Sequence, residues 1–249
     1  DYTYIEPSAG SGNFLKQFPI KRRIGLDIEP RDKEIKKADY LNWKPPPSEN
    51  TKYIVFGNPP FGLRGQLALK FINHSADFAD YVCFILPQLF ESDGKGVPRK
   101  RVKVLNLIHS EKINTSFQSP DGKLIDVKCI FQVWSKYRTN EMYNIREIDD
   151  KVIKIYSLSD GNTPSTTRNK KMFNKCDIYI PSTCFGKSKM TYYDNFEDLP
   201  GRKGYGIVFN KNKKKNIERF RKIDWSKVAF LSTNSAYNIR TSQIKSQFI

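Results

Sequence analysis

Over the first half of the chain, short apolar runs alternate with polar breaks marked by glycine, proline, asparagine or aspartate. The runs Tyr2–Ile5, Ile24–Ile28, Tyr53–Phe56, Tyr81–Leu86, Val104–Ile108 and Val127–Trp134 are short and rich in β-branched and aromatic side chains, which predicts strands. Between Gly65 and Phe78, residues Leu67, Ala68, Phe71, Ile72 and Ser75 fall near helical spacing and predict a helix. A second helix is expected to begin at Asn13-Phe14-Leu15. Asp39-Tyr40 is expected to end a further strand, and "WKPPPSENT" (Trp43–Thr51) reads as a loop. The segment "INTSFQSPDGKLIDVKCIFQVW" reads as strand, hairpin and strand, with Phe117 near the hairpin and Phe131 and Trp134 in the core. Strands alternating with helices imply an α/β domain with a mainly parallel sheet.

Beyond Tyr137 the pattern weakens and basic stretches take over: "TRNKKMFNK", "GRKG", "NKNKKKN". Residues 138–249 carry a net charge of +11, against +6 for residues 1–137. A domain boundary is expected within 137–150, dividing the chain into 1–140 and 141–249, and no internal repeat is evident. The overall charge of +17 points to a polyanionic partner, although a Lys/Asn/Ile-rich composition of AT-rich coding origin explains part of it. No run of eighteen apolar residues occurs and no signal peptide opens the chain, so no membrane partner is expected. The chain opens inside a strand, and an upstream segment is expected to precede it. Cys83, Cys129, Cys176 and Cys184 form no CxxC pair, which fits a reducing intracellular compartment and predicts neither a disulfide framework nor a metal site.

Three stretches carry chemistry. In "EPSAGSGNFL", Glu6 ends the first strand, and Gly10 and Gly12, lacking β-carbons, let a ligand lie against the backbone. In "GLDIEP", Asp27 ends the second strand, where a carboxylate can accept both hydroxyl hydrogens of a ribose. The bland alternatives are a plain turn and a capping aspartate. Asp39 could meet the amino edge of an adenine ring, and Glu6 suits a cationic amino-acid or sulfonium group. In "YIVFGNPPFG" the strand stops at Asn58-Pro59-Pro60-Phe61. Two prolines fix their own φ and push the residue before them out of the helical region, so Asn58 sits in a stiff, extended turn.

In this order and spacing, the three stretches resemble the S-adenosyl-L-methionine-dependent DNA adenine-N6 methyltransferases of restriction–modification type, with the target-recognition domain at the C-terminus. The resemblance covers residues 1–137. It implies a Rossmann-like class I methyltransferase sheet followed by a basic DNA-recognition domain. It implies S-adenosyl-L-methionine as cofactor, held by Glu6, Pro7, Ser8, Gly10, Gly12, Asp27, Ile28, Asp39, Tyr40 and Asn58. It implies that Asn58, Pro59, Pro60 and Phe61 form the catalytic tetrad, acting on an adenine flipped out of double-stranded DNA. Phe61 and Phe117 would then stack on the two faces of that base. A restriction endonuclease is the implied companion, in the cytoplasm of a bacterium or in a phage context, or in the nucleus of a eukaryote. One departure stands out: a cofactor-contacting segment that the family usually places before the first strand is absent from this chain.

Within that reading the tetrad has a physical role. Adenine's exocyclic nitrogen is a poor nucleophile because its lone pair is delocalised into the ring. The Asn58 side-chain oxygen and the Pro59 carbonyl, aimed at its two hydrogens, would draw it toward tetrahedral geometry. Flipping costs a few kcal/mol, and stacking returns roughly 1–3 kcal/mol per base. Lys170, Lys171, Lys187, Lys189, Arg202, Lys203, Lys213, Lys214 and Lys215 are the expected phosphate contacts. The competing readings are an RNA adenine methyltransferase, a non-catalytic DNA-binding subunit and a protein-glutamine methyltransferase. The intact tetrad disfavours the second and the charge disfavours the third.

Overall fold

In the computed structural model, the described residues are 1–46, 50–92, 97–113, 116–118, 122, 124–126, 128–137, 151–185, 189–231 and 236–248. The chain divides into two compact units, Asp1–Asn144 and Ile145–Ile249.

The first unit contains β1 (Tyr2–Glu6), β2 (Arg23–Asp27), β3 (Ile35–Lys37), β4 (Lys52–Gly57), helix α1 (Gln66–Ser75), β5 (Tyr81–Pro87), β6 (Asn106–Ile113), the short hairpin β7 (Ser116–Gln118) and β8 (Leu124–Asp126), and β9 (Cys129–Ser135). Seven of these strands form one sheet in the order β3-β2-β1-β4-β5-β9-β6. β3, β2, β1, β4 and β5 pair in parallel, and β9 runs antiparallel to both β5 and β6. This is a Rossmann-like, mainly parallel α/β sheet, as the alternation of strands and helices implies. The strand order reverses between β1 and β4. In open α/β sheets the crevice at such a reversal, beyond the carboxyl ends of the strands, is where ligands bind.

Alternation along the strands divides the core. Ile5, Val55 and Val82 face a cluster under α1 that includes Ala68, Leu69, Phe71 and Ile72. Their neighbours Tyr4, Phe56 and Cys83 face a smaller cluster with Ala9, Leu15, Phe18 and Ile35. The hydroxyl of buried Tyr40 lies 2.6 Å from Ser75 Oγ on α1, and Ser75 Oγ in turn donates to the Phe71 carbonyl.

Several elements differ from the sequence expectation. The helix expected from Asn13 is replaced by two 3-10 turns, Leu15–Gln17 and Ile20–Arg22. Pro19 holds Phe18 extended (φ −107°, ψ 154°), and that face of the sheet is covered instead by Leu15 and by Phe18, stacked on Tyr4 at 4.2 Å. The sixth strand begins at Asn106, not Val104, because Val104 is 72% exposed in a left-handed turn (φ 67°). β3 ends at Lys37, so Asp39 caps the following 3-10 turn and does not close the strand. Phe131 is half-buried beside His109, while Gln132 and Trp134 take the inward positions of β9. Cys83 is also only half-buried.

The second unit has β10 (Ile153–Ser159), β11 (Ile178–Pro181), β12 (Thr183–Cys184), β13 (Lys203–Phe209), β14 (Phe230–Leu231), β15 (Tyr237–Asn238) and helices α2 (Lys213–Lys222), α3 (Trp225–Val228) and α4 (Thr241–Lys245). Two antiparallel three-stranded sheets, β10-β13-β11 and β12-β15-β14, enclose a core centred on Ile207, Phe220, Trp225 and Phe248. Among the described residues, no helix is long and apolar enough to cross a membrane, and no cluster of His, Cys, Asp and Glu could hold a metal ion.

Tyr40→Phe removes a buried hydroxyl whose partner Ser75 keeps its bond to Phe71. It should lower stability by about 1 kcal/mol, measured by urea unfolding. An unchanged midpoint would show that the Tyr40–Ser75 bond contributes nothing.

Candidate active site

The site forms where β1 and β4 end side by side. Ile5 pairs with Val55, so Glu6 and the Gly57-Asn58 step emerge together at the carboxyl edge of the sheet. Gly57 adopts φ 126°, a conformation that favours glycine, and a β-carbon built there would lie 3.1 Å from Glu6 Cγ. The strand-end glycine therefore lets the two chains meet. It was not singled out from the sequence, although a glycine between an apolar run and a proline pair is a legible signal.

Glu6 is 2% exposed, and its Oε2 is buried with no hydrogen-bond partner. Burial pushes its carboxyl up to about 7. The Leu15 backbone N–H opposes the shift and the Asp27 charge adds to it. Asn58 Oδ1 is likewise buried and without a partner. Two buried acceptors without a protein partner thus lie at adjacent strand ends. The tetrad continues with Pro59 buried, Pro60 exposed and Phe61 half-buried against the edge of the main core.

Ser8, expected to touch the cofactor, donates its hydroxyl to the Asn58 backbone carbonyl at 3.1 Å. The glycine loop and the tetrad turn are therefore tied directly. Asp27 closes the same loop: Oδ2 accepts from the Gly10 N–H and Oδ1 from the Glu29 N–H, both at 2.8 Å. Each oxygen keeps a lone pair for a further donor. The two loop glycines differ. A β-carbon at Gly10 would meet nothing within 4 Å, whereas one at Gly12 would touch Ile35 and Lys16. Gly10 therefore borders open space and Gly12 serves packing. Pro7 is buried in the loop.

Asp39, Tyr40 and Ile28 have different surroundings. Asp39 caps its own turn, accepting from the Leu41 N–H at 3.0 Å and from Asn42 Nδ2 at 2.6 Å. The Tyr40 side chain, expected to contact the cofactor, is buried in the core. Ile28, just past β2, is 64% exposed. The Phe117 side chain lies outside the described residues. β7, which carries it, belongs to the connection between Ile113 and Cys129, which are paired at the sheet edge where Asn58 lies.

Of the expected phosphate contacts, Lys170, Lys171, Lys189, Lys203, Lys214 and Lys215 are exposed, and Lys187 lies outside the described residues. Arg202 pairs with Asp160 at 2.7 Å, and Lys213 with Asp177 at 2.6 Å.

No protein-family model matches the chain, and no curated protein matches it in sequence. Among solved structures, the type IIL restriction-modification enzyme MmeI, determined in complex with DNA, is similar over 57% of this chain at TM-score 0.42 and 12% identity; the match spans 32% of the MmeI chain. A putative RNA methyltransferase from Pyrococcus horikoshii is similar over 54% of this chain and 74% of its own, at TM-score 0.40 and 19% identity. The 23S rRNA methyltransferase ErmE is similar over 57% and 63%, at TM-score 0.39 and 17% identity. Each is a likeness of fold.

The raised pKa of Glu6 has a signed consequence. Its folded value of about 7 exceeds the ordinary 4.5, so the folded protein holds a proton that the unfolded chain releases between those values. Stability should therefore fall as pH rises through that window. Glu6→Gln removes the titration, so its melting temperature should gain on the wild type between about pH 4 and pH 8. A difference between the two proteins that stays constant with pH would refute this.

Proposed function

We propose that the protein is an S-adenosyl-L-methionine-dependent methyltransferase acting on the exocyclic N6 of adenine in DNA. The observation that carries this reading is the pair of orphaned acceptors, Glu6 Oε2 and Asn58 Oδ1, at the ends of neighbouring strands that meet at Gly57, by the topological switch point.

The residues fit the cofactor. Glu6 offers a desolvated carboxylate oxygen to the ammonium group of the methionine moiety. Asp27 retains acceptor capacity for the ribose hydroxyls, and Gly10 borders open space. The bound cofactor supplies an electrophilic methyl group. Asn58 Oδ1 accepts one hydrogen of the adenine amine, and the Pro59 carbonyl accepts the other. Proline at 59 and 60 fixes the spacing of these acceptors before the base arrives, which is where electrostatic preorganisation is effective. Phe61 stacks on the extruded ring. The Ser8–Asn58 bond holds both halves of the site in one register, and positioning of this kind supports much of the rate. The exposed lysines of the second unit, within its net charge of +11, suit backbone phosphates.

The test is methyl transfer from labelled cofactor to matched duplex DNA and RNA, with the modified base identified by mass spectrometry. N6-methyladenine in DNA is the expected product. Transfer to RNA alone would replace this reading with an RNA methyltransferase. Asn58→Ala should lower turnover by orders of magnitude while leaving cofactor and DNA affinities nearly intact, because its effect belongs to the transition state. A parallel loss of cofactor affinity would assign Asn58 to binding. Cofactor binding should also release a proton from Glu6 near neutral pH. Calorimetry in buffers of different ionisation enthalpy reads this, and a buffer-independent heat would count against the Glu6 contact.

A further inference from the structure

The turn that follows the tetrad, Gly62–Gly65, is fixed at both ends. A β-carbon at Gly62 (φ 65°) would lie 2.7 Å from Leu67 Cβ, and one at buried Gly65 (φ 71°) would lie 3.0 Å from Phe90 Cε2 and 3.5 Å from Pro98 Cγ. The Gly65 N–H donates to the Gly62 carbonyl at 3.3 Å, and the Leu67 and Ala68 N–H groups donate to the Phe61 carbonyl at 3.2 and 3.3 Å. Between these anchors the chain projects two side chains outward. Leu63 is 82% exposed, and Arg64 is exposed in the left-handed region (φ 52°, ψ 32°), which is unfavourable for a residue with a β-carbon.

Neither side chain has a role within the fold. Leu63 buries almost nothing, and no carboxylate pairs with Arg64 among the described residues. The surroundings are basic. The 3-10 turn Pro98–Arg101 packs against Gly65 through Pro98, and Arg101 donates to Gln66 Oε1 at 3.0 Å. Residues 62–76 and 97–110 contain no Asp or Glu. An outward apolar side chain on a strained, anchored turn, in a basic setting whose acid on the neighbouring 3-10 turn, Glu91, is half-buried, and directly next to the base-stacking Phe61, has the chemistry of a contact with a polyanion that has an apolar interior.

We propose that this turn grips duplex DNA beside the extruded adenine: Leu63 fills the gap left in the base stack, and Arg64 binds an adjoining phosphate. Apolar wedges of leucine type are a known means of holding unstacked steps apart. The assignment rests on the adenine-methyltransferase reading of the site.

The experiment uses the full chain with Leu63→Ala and Arg64→Gly, the latter removing the positive-φ strain so that its melting temperature holds or rises. Substrates are a fully paired duplex and one with an abasic site opposite the target adenine. Leu63→Ala should lower kcat/KM on the paired duplex about tenfold, as for loss of one stacking contact. On the abasic duplex the loss should shrink to about twofold, because pairing no longer opposes extrusion. Arg64→Gly should flatten the salt dependence of DNA binding by about 0.9 in slope. Both variants should bind S-adenosyl-L-methionine as the wild type does. Equal losses on the two duplexes, or none, overturn the Leu63 role, and an unchanged salt slope overturns that of Arg64. Should the wild type methylate DNA while both variants match it throughout, this inference alone fails. Should the wild type methylate no DNA, the reading of the site fails and the inference with it.

Discussion

The structure depends on the contact between Glu6 and Gly57. Two parallel strands can end together around a desolvated carboxyl only if one of them brings no side chain, and glycine at φ 126° meets that condition. Burying a carboxylate with one oxygen unpartnered is costly, and the protein answers by raising its affinity for a proton. Asn58, one residue further on, inherits its position from this contact and from the Ser8 hydroxyl. The site is thus held by packing and main-chain ties, while its two side-chain oxygens are left unsatisfied.

Much of the first unit was legible in the sequence because the central strands are short apolar runs between strong breakers. β1, β4 and β5 lie within a residue or so of their expected positions, and α1 shows helical spacing. The misreadings share a cause. Asn13–Gln17 has helical composition, but Pro19 and two positive-φ glycines leave too little chain to complete α-helical turns, and tertiary burial of Leu15 and Phe18 decides the outcome. Val104 has strand propensity but stands in a left-handed turn, a local conformation that no periodicity reveals.

The site was legible as a set of residues and less so as a set of roles. Glu6, Asn58 and Asp27 come together at one sheet edge, as their positions at strand ends imply. Sequence gives no means of seeing that Ser8 turns toward Asn58, or that Asp39 caps the turn that follows it. Tyr40 illustrates the limit: its place beside Asp39 in the chain says nothing about its ring pointing beneath α1. In the second unit, charge was readable but pairing was not, since Arg202 and Lys213 turn out to face carboxylates.

The two margins of the seven-stranded sheet have a colloidal consequence. At one margin β3 is three residues long and carries exposed Lys36 and Lys37; at the other, β6 carries exposed His109, Glu111 and Lys112. Short or charge-bearing margins are poor templates for main-chain recruitment of another molecule. The open amides of this sheet are therefore guarded against growth into fibrillar stacks.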